Sequence, residues 1–168
     1  MSSQRQRLRV AAAICAIGFC SIPAQSTARA GAVPATASRV AADVVDLTNV
    51  RRIEDRRQPL RTNPRLMHAA QLHAEQMARA SRIAHVLPNA AYPRPEDRLA
   101  AADYRWQTYG ENAAMGQSSA AEVLEAWMHS RGHRINILKP DFTEMGAGYA
   151  LDEAGRPYYV QVFARPLS

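Results

Sequence analysis

Residues 126–138 read AWMHSRGHRINIL, with His129 and His133 four residues apart. On one continuous helix that spacing puts both imidazoles on the same face, the arrangement by which H-E-x-x-H metalloproteases hold zinc. Such a site also needs a glutamate directly after the first histidine to act as base, and an unbroken helix through both. Here Ser130 occupies the glutamate position and Gly132 directly precedes the second histidine. The pair therefore separates. His129 is expected at the surface, in the last turn of a helix that Gly132 stops, where a partly charged imidazole meets the negative helix end. His133 then begins a new segment and needs another partner. Ser130 beside His133 makes a Ser–His pair only on paper, since adjacency along the chain is not hydrogen-bond geometry.

The elements that must position these residues follow from periodicity and punctuation. Val44, Leu47, Val50 and Ile53 recur at three-residue steps, predicting an amphipathic helix that starts near Val40 and ends before Pro59. Asn63 followed by Pro64 reads as an N-cap with proline in the first helical position, and Leu66, Ala70, His73, Met77 and Ala80 give that second helix a buried stripe. His68 and His73, five apart, are expected as ordinary surface or core histidines. Residues 86–97 (VLPNAAYPRPED) are a turn-rich connection, followed by a short helix over Asp97 to Ala102. Ser119 with Glu122 three residues on is a capping-box start for the helix that carries Trp127, a core residue.

Two strand-like stretches finish the chain, MGAGYAL from Met145 and PYYVQVFA from Pro157, joined by a turn at Gly155. Alternation puts Tyr158, Val160 and Val162 on one face and Tyr159, Gln161 and Phe163 on the other. Both faces carry apolar groups, so the sheet should be covered on both sides. With a further strand near Glu111 to Ala114, the pattern is α+β, helices packed on an antiparallel sheet.

At 168 residues the chain has room for one domain. Its start reads as a processing signal: Arg5, Arg7 and Arg9 precede an apolar run from Val10 to Ile22, and Ala28-Arg29-Ala30 offers small residues for cleavage. Residues 1–30 are thus the expected signal peptide, cut after Ala30 or alternatively after Ala24. The apolar run falls short of the roughly 20 residues a spanning helix needs, so no transmembrane span is expected in the mature form. Residues 31–41 are small and polar and read as a disordered linker, leaving 42–168 as the domain.

Removing the signal removes Cys15 and Cys20, the chain's 2 cysteines. That excludes a disulfide framework, a thiolate metal site and a cysteine nucleophile. Of 21 Lys and Arg, taking away Arg5, Arg7, Arg9 and Arg29 leaves 17 against 15 acids, so the net charge falls from +6 to +2. Arg51-Arg52 and Arg56-Arg57 alternate with Glu54 and Asp55 as on a solvated helix face. No nucleic-acid partner is expected.

Several stretches together carry a resemblance. They are Ala84-His85 after the second helix, Gly110-Glu111-Asn112, the run Ala126 to Leu138, Phe142-Thr143-Glu144-Met145-Gly146-Ala147-Gly148, and Tyr158 to Phe163. In this order and spacing, over about residues 42–165, the chain resembles the CAP superfamily, also called the SCP-like extracellular domain (cysteine-rich secretory proteins, antigen 5, pathogenesis-related 1), and within it the bacterial single-domain branch. The resemblance implies a three-layer α-β-α sandwich with a small antiparallel sheet and a cleft lined by His85, Glu111 and His133. Animal and plant members have a second cleft glutamate where this chain has Ser130, which weakens any mechanism that needs two carboxylates.

What the resemblance implies for chemistry is a cleft of His85, Glu111, His133, Ser130 and Asn112. His85 and His133 are the candidate ligands for Zn²⁺ or another divalent cation, with positions left open for water or a ligand. Glu111 would orient a histidine or, in a metal-dependent hydrolase, act as general base. Asn112 has a competing reading as a turn-forming or backbone-bonding residue. Arg134, Asn136, Tyr149 and Gln161 stand open between lining the cleft and bonding loop backbone. The leading expectation is an exported monomer, periplasmic or extracellular, whose cleft binds a small ligand, peptide or lipid. The alternatives are the hydrolase and a non-catalytic envelope interaction module.

Overall fold

The computed structural model describes residues 35–168. The signal segment, both cysteines and both candidate cleavage positions lie outside the described residues. The elements run α1 (Ala35–Glu54), β1 (Arg61–Thr62), α2 (Pro64–Arg79), α3 (Pro95–Ala101), β2 (Trp106–Met115), α4 (Ala120–His129), α5 (Arg131–Leu138), β3 (Glu144–Leu151) and β4 (Pro157–Pro166). The four strands form one sheet in the order β1-β3-β4-β2. β4 lies antiparallel between β3 and β2, and the two residues of β1 pair parallel with β3. The expected sheet is present, with one parallel edge strand that the sequence pattern did not announce.

The two faces of β4 lie in two separate cores. Tyr159 and Phe163 pack with Val44, Val45, Val123, Trp127 and Ile137, the apolar faces of α1, α4 and α5. Tyr158, Val160 and Val162 pack with Leu66, Ala70, Met77 and Leu99 of α2 and α3. This is the expected α-β-α sandwich, and it follows from a central strand that is apolar at every buried position but one. That exception, Gln161, is fully buried and donates to Thr48 Oγ1 at 2.6 Å.

Helix α1 differs from expectation at both ends. It begins at Ala35, so the expected linker 31–41 overlaps its first two turns. Alanine costs little in a helix, and Ala37 and Ala41 are buried. At the other end the three-residue stripe fails: Val50 and Ile53 are exposed while Thr48 and Arg52 are buried. Each three-residue step turns a helix about 300°, so after three steps the stripe has drifted to the opposite face.

The helices nearest the site are set by specific contacts. Asn63 Oδ1 accepts from Arg65 N at 2.9 Å and caps α2, with Pro64 first in the helix. α2 then lies directly on β3. A Cβ at Gly146 would come within 2.2 Å of the Leu66 carbonyl carbon, and one at Gly148 within 2.4 Å of Ala70 backbone. Glycine at both positions lets the helix and sheet backbones meet. Ser119 caps α4 by accepting from Glu122 N at 3.1 Å, but the Glu122 carboxylate turns to Ser118 rather than completing the box. α4 ends at His129, earlier than the expected stop at Gly132. Extended Ser130 (φ −93°, ψ 118°) makes the break, and Gly132 sits inside α5. Buried Arg52 reaches the carbonyls of Ile137 and Lys139, holding the C-terminal end of α5 with a cation where the helix end is negative.

Candidate functional site

β2 is an edge strand, and alternation along it sorts its residues between the two layers. Glu111 points toward α2 and α3, whereas Asn112 points toward α1 and α5. Helix α5 comes down over the open edge, where Asn136 Nδ2 donates to the Glu111 carbonyl at 3.3 Å and to Asn112 Oδ1 at 2.9 Å. Gly110 makes room for this approach, since a Cβ there would stand 3.0 Å from both Asn136 Oδ1 and Phe142 Cζ. The two layers therefore meet around one strand edge. His85 arrives there from the α2–α3 connection and His133 from α5.

The Glu111 side chain is only 4% exposed. Its Oε1 stands 2.9 Å from His85 Nδ1, and Arg98 Nη2 donates to Oε1 at 3.2 Å and Oε2 at 3.0 Å. Burial pushes the Glu111 carboxyl up, but the His85 hydrogen bond, the nearby His73 and Arg98 together outweigh it, and the net direction is down. Arg98, 1% exposed, also donates to the carbonyls of His85, Tyr92 and Pro93 at 3.0, 3.2 and 3.3 Å. A single guanidinium thus neutralises Glu111 and holds both limbs of the connection that carries His85. Tyr109, on β2, donates its hydroxyl to Glu96 of α3, and burial followed by that bond pushes its phenol up to about 12.

The histidines differ sharply in setting. The His85 side chain is 54% exposed, and its hydrogen bond to Glu111 raises its pKa despite partial burial. Nδ1 is turned to the carboxylate, and Nε2 makes no hydrogen bond among the described residues. His133 is half-buried, its ring edge-on to Trp127 at 6.5 Å between centroids; burial lowers its pKa and so does the charge of His85. His73 is fully buried, with Nε2 3.5 Å from Glu111 Oε1 and neither ring nitrogen hydrogen-bonded. Burial drives its pKa down to about 4, so the ring is neutral. His129 is exposed beside Glu125, and Trp127 is core.

Of the candidate cleft residues, His85 and Glu111 are in direct contact and His133 lies within electrostatic reach of His85. Asn112 is instead fully buried, donating to the His133 carbonyl at 3.2 Å and to Gln161 Oε1 at 3.0 Å. It acts as a tie beneath the site and offers no surface to a ligand. Ser130 is the joint between α4 and α5, and its hydroxyl makes no capping bond. Asn136 and Gln161 belong to the same buried network as Asn112. Tyr149 packs against Tyr159 at 5.0 Å, and Arg134 is exposed. Sequence reasoning missed Arg98, which carried no motif, and gave His73 no role although its place in the α2 stripe marked it as inward-facing.

The donor set fits a metal in part. A carboxylate bonded to Nδ1 is what presents a ligating histidine through Nε2, and the neutral ring of His133 suits a second ligand. Among the described residues no cluster of three or more His, Cys, Asp or Glu is arranged to hold an ion. An ion here would therefore take two protein nitrogens and complete its sphere with water or ligand.

Residues 45–163 match the family model described as CAP, the cysteine-rich secretory protein family. The chain belongs to the CAP family. This CAP domain is 36% identical over 126 residues to the uncharacterized protein YkwD of Bacillus subtilis (strain 168), covering 75% of this chain and 48% of that protein. It is 31% identical over 122 residues to the uncharacterized membrane protein YlbC of the same organism, covering 73% and 33%. The chain thus spans less than half the length of either relative. Among solved structures it is similar to an extracellular protein containing a SCP domain from Bacillus anthracis str. Ames, with TM-score 0.69 and 26% identity over 80% of this chain and 45% of that one. Among the described residues no helix is long and apolar enough to cross a membrane.

Proposed function

We propose that this CAP domain is an exported binding module whose cleft, formed by His85, Glu111 and His133, takes a small ligand, peptide or lipid. Export rests on the arginine-led apolar segment at the amino terminus. The observation that carries the binding reading is the state of Glu111. Its two oxygens already accept from Arg98 and His85, which stabilises the charged form and makes it a weak proton acceptor. Its work is to orient His85, leaving Nε2 for a ligand. A hydrolase that needs Glu111 as general base asks that same carboxylate to give up these bonds. A divalent ion such as Zn²⁺, held by His85 and His133, would supply a Lewis-acidic contact point for ligand donor atoms.

The experiment is calorimetric titration of the protein with Zn²⁺, beside the His85→Ala/His133→Ala variant checked for equal folding by circular dichroism. One equivalent bound at micromolar or better affinity by the wild type, and not by the variant, supports a metal-assisted cleft. Identical behaviour of the two removes the metal and leaves direct ligand binding. Turnover of peptide or phosphoester substrates that vanishes in Glu111→Gln, with metal binding retained, would replace the binding reading by the hydrolase.

A further inference from the structure

The 20 residues from Gln76 to Pro95, covering the last turn of α2, the connection and the first residue of α3, contain Arg79, Arg82 and Arg94 and no aspartate or glutamate, with Glu75 and Glu96 directly outside them. The same segment exposes Ile83, Val86 and Tyr92 at 42, 46 and 38%. Elsewhere among the described residues the large exposed apolar side chains are scattered on α1, α5 and strand or chain ends, as is ordinary for a surface. Here three fall within ten residues, between arginines.

These side chains stand on a fixed frame. Leu87 N donates to Pro93 O at 3.0 Å, and Arg98 binds the carbonyls of His85, Tyr92 and Pro93, so the limb carrying Val86 lies beside the limb carrying Tyr92. Gln76, buried at the end of α2, reaches the Tyr92 N–H and carbonyl at 3.1 and 3.2 Å once its amide is turned to satisfy both. Next to this frame is a surface cavity of about 520 Å³, lined by Arg79, Arg82, Leu87, Pro88 and Ala90 among others. Its lining combines two arginines with apolar Leu87, Pro88 and Ala90. Acids flank the segment at both ends: Glu96 and Asp97 follow Arg94 two and three residues on, with Asp97 Oδ2 accepting from the Arg94 N–H at 3.0 Å, and Glu75 stands 3.6 Å from Arg79 with both side chains exposed, a weak pairing that leaves Arg79 available.

We propose that the Gln76–Pro95 segment is a docking surface for a lipid bilayer bearing anionic headgroups, with the arginines at the headgroups and Ile83, Val86 and Tyr92 entering the interface. Arginine is attracted to an anionic leaflet, and aliphatic side chains beside it add burial in the acyl boundary. Tyrosine suits the same depth, with an apolar ring and a polar tip. A soluble polyanion would use the arginines but leave the apolar side chains in water, which is why a bilayer is the better fit. Docking in this way would hold the His85 side of the cleft near the membrane.

The test is cosedimentation of the full chain with phosphatidylcholine vesicles and with vesicles rich in phosphatidylglycerol. Every variant keeps the same amino-terminal segment, so its contribution is common to all. Arg79→Gln/Arg82→Gln is expected to weaken binding to the anionic vesicles roughly thirty-fold, from about 1 kcal/mol per arginine and a tenfold change per 1.4 kcal/mol. Ile83→Ser/Val86→Ser should weaken it as well, with the circular dichroism spectrum of both variants unchanged. Equal binding to the two vesicle types, or variants that bind as the wild type does, overturns the proposal. So does full competition by inorganic phosphate together with an unaffected Ile83→Ser/Val86→Ser variant, which would mark a small-anion site.

Discussion

Replacing Arg98 by methionine, Arg98→Met, removes the guanidinium that hydrogen-bonds a carboxylate only 4% exposed. The change strips Glu111 of two bonds, at 3.2 and 3.0 Å, and leaves the carbonyls of His85, Tyr92 and Pro93 without their donor. Methionine nearly fills the volume, so the loss is electrostatic rather than a cavity. Breaking one side of a buried ion pair costs about 3–5 kcal/mol, most of it the penalty of an uncompensated charge. With a urea dependence of about 2 kcal/mol per molar, the unfolding midpoint should fall by roughly 2 M. The decisive comparison adds Glu111→Gln to Arg98→Met. If the cost is the stranded charge, neutralising it should restore about 1–2 kcal/mol, making the double variant more stable than the single. Urea titrations followed by far-ultraviolet circular dichroism read both quantities. A single variant that loses under 1 kcal/mol, or a double variant less stable than Arg98→Met, would refute the view that Arg98 and Glu111 form one desolvated unit.

Three further outcomes are expected. The metal-free His85 imidazole should titrate above the usual histidine value by NMR and return toward it in Glu111→Gln, because the Glu111 bond is the largest cause of the shift; its contribution to stability is full below about pH 6.5 and is lost as pH rises through the raised value. His73 acts with the opposite sign, since its folded value is near 4. The unfolded chain binds more protons between about pH 6.5 and 4, so stability falls as pH drops through that window at up to about 1.4 kcal/mol per unit, and His73→Gln should flatten the slope. Gly148→Ala places a methyl 2.4 Å from Ala70 backbone and should cost about 3 kcal/mol by overpacking, measured as a lowered Tm, whereas Gly132→Ala, with no atom within 4 Å of the added methyl, should cost nothing.

Much of this molecule was legible residue by residue. Asn63-Pro64 and Ser119 cap helices as read, because a cap depends on the two or three residues that follow it. The alternation of β4 assigned its residues to the correct faces, because a strand's period of two is set by the backbone alone. The resemblance carried by His85, Gly110-Glu111-Asn112 and the run through His133 led to the family and the layered fold. Pattern reading went astray where a period had to be projected. The three-residue stripe of α1 drifted off the core, and Ser130, at the N-cap position of α5, ended α4 ahead of Gly132.

The sequence by itself determined the elements, their caps, the two-sided sheet and the family, since these follow from short-range backbone geometry and side-chain type. Only the tertiary structure decided what surrounds Glu111. Arg98 is 13 residues away and His73 is 38, and neither spacing has meaning until α2 and α3 close over one face of β2. The same holds for Gly146 and Gly148, whose role exists only because α2 lies on them, and for Asn112, which the approach of α5 turns from a candidate ligand contact into a buried tie. Local dihedrals and periodicity belong to the chain; charge pairing in a desolvated interior belongs to the packing that removes the water.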